Sequence, residues 1–139
     1  MGVEKIYISW DEVYGLLDII NEYVENLEDF DKPWYVSAIP RGGSILAVLY
    51  SHRFDLPYLH NPQNGDHNLL ILDDIADSGK TLDEWRRRMN SPIYATLHYK
   101  EISLAEPDFY GAKLNKDSGW IVYPWEREDS KTIQDYLDN

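Results

Sequence analysis

The sequence predicts one α/β domain with a mostly parallel central sheet flanked by helices. Three observations lead to this prediction. First, the chain has 139 residues, of which 43% are hydrophobic, which suits a single domain with a modest core. Second, short apolar runs alternate with segments of helical periodicity, as in strands joined by crossover helices. Third, two strand-to-helix connections are rich in glycine, and in a parallel sheet such connections lie together at the carboxyl ends of the strands, where ligands bind.

Capping residues and apolar spacing predict the helices. Ser9-Trp10-Asp11-Glu12 has the spacing of a capping box, and apolar residues then recur on one side of a helical wheel, which predicts a helix from about 10 to 28. Two further helices are predicted after the glycine-rich turns, at Ser44 to Phe54 and at Thr81 to Met89. A terminal helix is predicted at Ser130 to Asp138.

Short apolar runs between turn-forming residues predict the strands. They are Trp34 to Ile39, Leu56 to His60, Leu69 to Leu72, Ile93 to Tyr99 and Trp120 to Tyr123.

Composition excludes several classes of protein. The formal charge of −12 opposes binding to a phosphate backbone, so no nucleic-acid partner is expected. The basic triplet Arg86-Arg87-Arg88 follows acidic residues and is interpreted as a solvated helix face. No run approaches the roughly 20 apolar residues of a membrane span, and no secretory signal is recognisable, so a cytoplasmic protein is expected. The absence of cysteine excludes disulfides, thiolate zinc sites and a cysteine nucleophile.

The most informative segment runs from Leu69 to Leu82. It places Asp73 and Asp74 at a strand end, Asp77 three positions later, and a Ser78-Gly79-Lys80-Thr81 turn at the start of a helix. Backbone N–H groups and the positive end of a helix dipole make such a turn a phosphate cradle. The carboxylates can accept hydrogen bonds from sugar hydroxyls or bind Mg²⁺. The segment therefore predicts a site for a phosphorylated sugar.

This segment resembles the motif by which type I phosphoribosyltransferases bind 5-phosphoribosyl-1-pyrophosphate (PRPP). The resemblance implies the type I phosphoribosyltransferase fold, with Asp73 and Asp74 holding the ribose hydroxyls and Mg²⁺ and residues 77 to 81 wrapping the 5-phosphate. In purine-specific members, the acid that matches Asp77 exchanges a proton with N7 of the base.

A second glycine-rich turn, Arg41-Gly42-Gly43, lies between an earlier strand and its helix. Alone it indicates only a tight turn with a surface arginine. Upstream of the acidic motif, it resembles the pyrophosphate loop of the same family, in which backbone N–H groups and the arginine bind the leaving group. The resemblance also predicts a cis peptide between Pro40 and Arg41.

Two later segments resemble the base-binding hood of bacterial xanthine-guanine phosphoribosyltransferases, which would span about residues 98 to 126. The resemblance implies that Lys100 donates to the exocyclic O6, that Trp120 stacks on the purine, and that the backbone near Ile121 meets its other edge. Glu126 also fits the family's pattern and is a candidate contact to the base. From the residues alone, Trp120 could equally be a core or oligomer aromatic, and Lys100 a solvated lysine. The implied activity is Mg²⁺-dependent transfer from PRPP to a 6-oxopurine in purine salvage, by a dimer or tetramer.

Two other functions remain open from the sequence. Residues 61 to 68 leave room only for a short turn where many family members have a mobile lid, which fits a PRPP- or nucleotide-binding regulatory protein with little catalysis. The same acidic segment nearly matches the phosphate loop of a kinase, but Asp74 stands at the position of its first glycine.

Overall fold

Two parallel sheets and three α-helices make up the fold of the described residues. The computed structural model describes residues 4–63, 65–66 and 68–127. A four-stranded sheet has the order β2-β3-β4-β5, and a two-stranded sheet pairs β1 with β6; all of these pairs are parallel. The predicted fold class is confirmed. The elements are β1 (Lys5–Tyr7), α1 (Trp10–Glu25), β2 (Tyr35–Ala38), α2 (Gly42–Phe54), β3 (Leu69–Ala76), α3 (Lys80–Arg88), β4 (Ile93–Lys100), β5 (Phe109–Leu114) and β6 (Trp120–Val122).

The predicted capping box is present at the start of α1. Ser9 Oγ accepts a hydrogen bond from the Glu12 N–H at 3.1 Å, and Glu12 Oε1 accepts one from the Ser9 N–H at 3.3 Å. The helix ends at Glu25 rather than near 28, because the Leu27 N–H turns back to the Val24 carbonyl. The buried face of α1 consists of Val13, Leu17, Ile20 and Val24.

The helices cover opposite faces of the central sheet. Side chains of α1 and α2 pack in one buried cluster with Leu70 and Leu72 of β3. Leu82 of α3 packs in a second cluster with Leu69 and Ile71 of the same strand. This alternation is the period of two that a strand buried on both faces requires.

The strand β3 is longer than predicted. It continues past Leu72 to Ala76, because residues 73, 75 and 76 remain paired with β4. Asp73 and Asp74 therefore lie within the last part of the strand and not in a loop after it. Pairing of Asp73 and Ile75 with β4 holds their backbone in a fixed position.

Three segments differ from the predicted strands. Leu56 to His60 is not a strand: only an isolated bridge joins Tyr58 to Val36, since Pro57 has no N–H to donate to a ladder. The strands β1 and β5 were not predicted. The segment of β1 is only three residues long, and β5 contains Gly111, which weakens its strand signal. The helix predicted at Ser130 to Asp138 lies outside the described residues.

No helix in the part of the chain that the structure describes combines the length and apolar character needed to cross a membrane.

Candidate active site

A cavity of about 540 Å³ opens at the carboxyl ends of β3 and β4. The turn after β3 forms one wall, the turn before α2 forms another, and the segment that follows β6 forms a third. Most of the residues predicted from the sequence line it: Arg41, Gly42, Asp73, Asp74, Asp77, Ser78, Gly79, Thr81, Lys100, Trp120, Ile121 and Glu126. Two predicted residues, Gly43 and Lys80, do not.

The tandem carboxylates project from opposite faces of β3. Alternation along the strand places Asp73 on the face covered by α3, while the Asp74 carboxylate lies against Gly42 at the start of α2. Asp73 Oδ1 accepts a hydrogen bond from the Asp74 N–H at 2.8 Å, and Asp74 Oδ1 accepts one from the Ile75 N–H at 2.7 Å. These bonds orient both side chains at the cavity.

Burial raises the pKa of Asp74 to about 6, and the negative charge of Glu126 adds to the shift. The hydrogen bond with Asp73 and the one from the Ile75 N–H oppose it. Burial disfavours the charged carboxylate, whereas a bound cation favours it. The carboxylate is thus suited to a partner that brings positive charge or hydroxyl donors into the cavity.

The turn between β3 and α3 has the shape of an anion-binding turn. Gly79 has a φ of 84° and α3 begins at the next residue, so the first N–H groups of the helix face the cavity end of the turn. Ser78 and Thr81 line the cavity. Lys80 is exposed, and its N–H donates to Ser78 Oγ at 3.3 Å. The Ser78 carbonyl also accepts from the Leu104 N–H at 2.8 Å, which ties the turn to the chain after β4.

The turn before α2 packs closely against the carboxylate strand. A Cβ on Gly42 would overlap the Asp74 carboxylate, and one on Gly43 would overlap the Leu72 carbonyl. Glycine is therefore required at both positions for α2 to approach β3 this closely. The predicted cis peptide between Pro40 and Arg41 is present, and Arg41 lines the cavity.

An ion pair joins two further charged groups of the cavity. Lys100 Nζ lies 3.2 Å from Asp77 Oδ1, and the two side chains are 14% and 25% exposed. Lys100 is the last residue of β4, and Asp77 follows the last residue of β3. The structure therefore brings together one residue predicted to bind a base and another predicted to exchange a proton with it.

Aromatic rings form the wall of the cavity after β6. Tyr123 stacks on Trp125 with ring centroids 4.9 Å apart and planes 3° apart. Trp120 and Ile121 also line this wall. Glu126 lines it too, but its Oε1 accepts a hydrogen bond from the Tyr123 N–H at 2.8 Å. That carboxylate oxygen is thus engaged within its own turn.

Known proteins resemble this chain in both sequence and structure. No protein-family model matches the chain. A curated xanthine-guanine phosphoribosyltransferase of Cereibacter sphaeroides is 26% identical over 144 residues, covering 86% of this chain and 86% of that protein. A solved purine phosphoribosyltransferase of Pyrococcus horikoshii matches with a TM-score of 0.68 and 26% identity, over 88% of this chain and 94% of that one. The chain has the type I phosphoribosyltransferase fold.

A further solved structure supports the fold alone. The xanthine-guanine-hypoxanthine phosphoribosyltransferase of Helicobacter pylori matches with a TM-score of 0.63 at 18% identity, over 88% of this chain and 94% of that one. The resemblance to xanthine-guanine phosphoribosyltransferases that the sequence predicted is confirmed.

Two residues of this phosphoribosyltransferase fold were missed from the sequence. His98 Nδ1 lies 2.8 Å from Tyr123 Oη, and that hydroxyl donates to the Asp74 carbonyl at 3.1 Å. Since the tyrosine hydroxyl has one hydrogen, His98 must donate from Nδ1. Burial lowers the pKa of His98 to about 4 and raises that of Tyr123 well above its usual value. No sequence pattern pairs these two residues, which lie 25 positions apart.

The carboxylates fit Mg²⁺ by their chemistry. Asp73 and Asp74 offer hard oxygen donors at the cavity, and Mg²⁺ is usually held by one or two carboxylates together with substrate phosphates and waters. No cluster of three or more His, Cys, Asp or Glu residues suited to a metal occurs among the residues described. Within this phosphoribosyltransferase fold, the two aspartates would share the ion with a phosphorylated substrate.

The short connection before β3 stays outside the cavity. None of the described residues between 61 and 68 lines it. Asp66 instead accepts a hydrogen bond from the Gln63 N–H at 2.6 Å, which closes a local turn.

Proposed function

We propose that the protein transfers the phosphoribosyl group of PRPP to a 6-oxopurine, releasing pyrophosphate with the help of Mg²⁺. The observation that carries this proposal is that one cavity contains both the acidic phosphate turn and the Lys100–Asp77 pair. The homologues are named as phosphoribosyltransferases, which agrees with a transferase. Guanine, xanthine and hypoxanthine are the bases to test.

The donor is proposed to lie along the two glycine-rich turns. The N–H groups at the start of α3, with the Ser78 and Thr81 hydroxyls, would bind the 5-phosphate. Asp73 and Asp74 would accept hydrogen bonds from the ribose hydroxyls and hold Mg²⁺, which supplies positive charge to the leaving pyrophosphate. Arg41 and the backbone before α2 would bind the same leaving group.

The Lys100–Asp77 pair matches one edge of a 6-oxopurine. O6 and N7 are neighbouring atoms on that edge of the ring. Lys100 Nζ would donate to O6, and Asp77 would accept the proton from N7. Two groups 3.2 Å apart can contact O6 and N7 at once, while Trp120 would stack on the face of the ring.

The reaction forms one bond and breaks another at C1 of the ribose. The bond from C1 to the pyrophosphate oxygen breaks, and its electron pair leaves with pyrophosphate. A bond from C1 to a purine nitrogen forms, and the N7 proton passes to Asp77. Positive charge develops on the ribose during this exchange, so stabilising the departing anion is the main catalytic demand.

A pyrophosphate-release assay tests the proposal. The protein, PRPP and MgCl₂ are incubated with each base, and nucleotide formation is followed by absorbance. Release that depends on both the base and Mg²⁺ is expected. Tight PRPP binding by calorimetry without release would favour the regulatory protein, and binding of ATP·Mg²⁺ without PRPP would favour the kinase.

A further inference from the structure

Thr96 is a buried residue of β4 with an unsatisfied hydroxyl. Its side chain is 2% exposed, and Oγ1 has no hydrogen-bond partner in the described part of the chain. A buried hydroxyl without a partner is costly, so native proteins supply one from protein, water or ligand. Thr96 lines the cavity, which makes the cavity contents the available source.

The position of Thr96 in the sheet indicates which part of a ligand it meets. Thr96 is the register partner of Asp73 on the neighbouring strand. Its neighbours Ala95 and Leu97 pack on the face covered by α1 and α2, so alternation places Thr96 on the α3 face, as it does Asp73. The two side chains lie side by side, because adjacent strands are about 4.8 Å apart.

The α3 face of the cavity is also the face of the phosphate turn. Leu82 of α3 also lines the cavity, and α3 begins directly after the turn at Gly79. Lys100 lies four residues further along β4, which separates it from Thr96 by about 13 Å of strand. A group bound at Thr96 therefore lies level with Asp73 and away from the base edge that Lys100 would contact.

We infer that the Thr96 hydroxyl binds the ribose-5-phosphate end of the donor, beside Asp73, as a further binding residue. This inference rests on the proposed function. The hydroxyl can donate to a phosphate or ribose oxygen and accept from a ribose hydroxyl. Neither Leu82 nor Tyr94 offers that chemistry there, since the Tyr94 hydroxyl is already bonded to the Met89 carbonyl at 2.6 Å.

A pair of substitutions isolates the hydroxyl. Thr96→Val keeps the branched shape and removes the oxygen, and Thr96→Ser keeps the oxygen and removes a methyl. The affinity for PRPP·Mg²⁺ is measured by calorimetry, and the melting temperature without ligand is measured by thermal denaturation. If the Thr96→Val variant does not fold, Thr96→Ala is compared with Thr96→Ser, because those two variants also differ by the hydroxyl alone.

A binding role and a structural role give opposite results. We expect Thr96→Val to weaken PRPP binding by about 5- to 10-fold, the usual effect of one hydrogen bond. Its melting temperature should equal or exceed that of the wild type, because no internal hydrogen bond is lost. Thr96→Ser should bind like the wild type.

Unchanged PRPP affinity in Thr96→Val would overturn the inference and assign the hydroxyl to a cavity water. A lower melting temperature with unchanged affinity would overturn it as well, in favour of a structural role. Failure of the wild type to bind PRPP at all would instead contradict the proposed function, so the two failures are distinguishable.

Discussion

Lys100 Nζ and Asp77 Oδ1 form an ion pair 3.2 Å long in the wall of the cavity. The pair joins the end of β4 to the turn that follows β3. Both side chains are mostly shielded from water, so each charge stabilises the other. Binding a base there would replace part of this attraction with hydrogen bonds to the ring.

Asp77→Asn is expected to reduce turnover far more than donor affinity. Asparagine keeps the shape of the side chain but cannot take the N7 proton, an effect typically of about 10²- to 10⁴-fold on rate. The turnover number and the PRPP dissociation constant are measured separately. Asp83→Asn is the matched control, because Asp83 pairs with Arg87 on α3 and does not line the cavity. Turnover like the wild type in Asp77→Asn would refute the proton-transfer role.

Lys100→Gln is expected to raise the KM for the base and leave PRPP affinity nearly unchanged. The loss of a charged hydrogen bond to O6 should weaken binding of the base by about 10-fold or more, since such bonds contribute roughly 1.5 to 3 kcal/mol. Steady-state kinetics with the base varied supply the KM. Lys113→Gln serves as control, because Lys113 is exposed on β5 over the Tyr99 ring. An unchanged KM for all three bases would remove Lys100 from the base site.

Tyr123→Phe is expected to destabilise the fold. The change removes the hydroxyl that links His98 to the Asp74 carbonyl and leaves buried polar groups without a partner. The free energy of unfolding, measured with urea, should fall by about 1 to 3 kcal/mol. Tyr23→Phe is the control, because that ring is half exposed on α1. Equal losses in the two variants would show that the buried hydroxyl has no special role.

The buried His98 predicts a pH dependence of stability. Burial lowers its pKa to about 4 from 6.5, and Glu12 opposes the shift. Because the pKa of His98 is lower in the folded protein, the unfolded chain binds a proton at a higher pH than the folded chain does. The contribution of neutral His98 to the free energy of unfolding is therefore complete above pH 6.5 and is lost as the pH falls toward 4.

Urea unfolding at pH 7.5 and pH 5 measures this contribution. The wild type should lose about 2 kcal/mol of its free energy of unfolding over that interval through His98. The His98→Gln variant should lose correspondingly less. His52→Gln, on the exposed side of α2, should retain the wild-type slope. A His98→Gln slope equal to that of the wild type would contradict the burial of a neutral imidazole.

Local signals predicted α1, α2, α3 and the turn before α3 well. A capping box and apolar spacing identified the start of α1, and the acids followed by Ser78-Gly79 identified the turn before α3. These features depend on hydrogen bonds and side-chain spacing within about four residues, which the order of residues specifies directly. The resemblance to a known family added the roles proposed for Arg41 and Lys100.

The sequence by itself therefore determined the α/β class, the acidic turn before α3 and the types of residue that line the cavity. Only the tertiary structure decided that β3 extends through Asp74, that Lys100 pairs with Asp77, and that the Thr96 hydroxyl lacks a partner. Each of these depends on which strands lie side by side and in which register. Contacts between residues far apart in the chain are set by the packing of the whole sheet, and no local pattern encodes them.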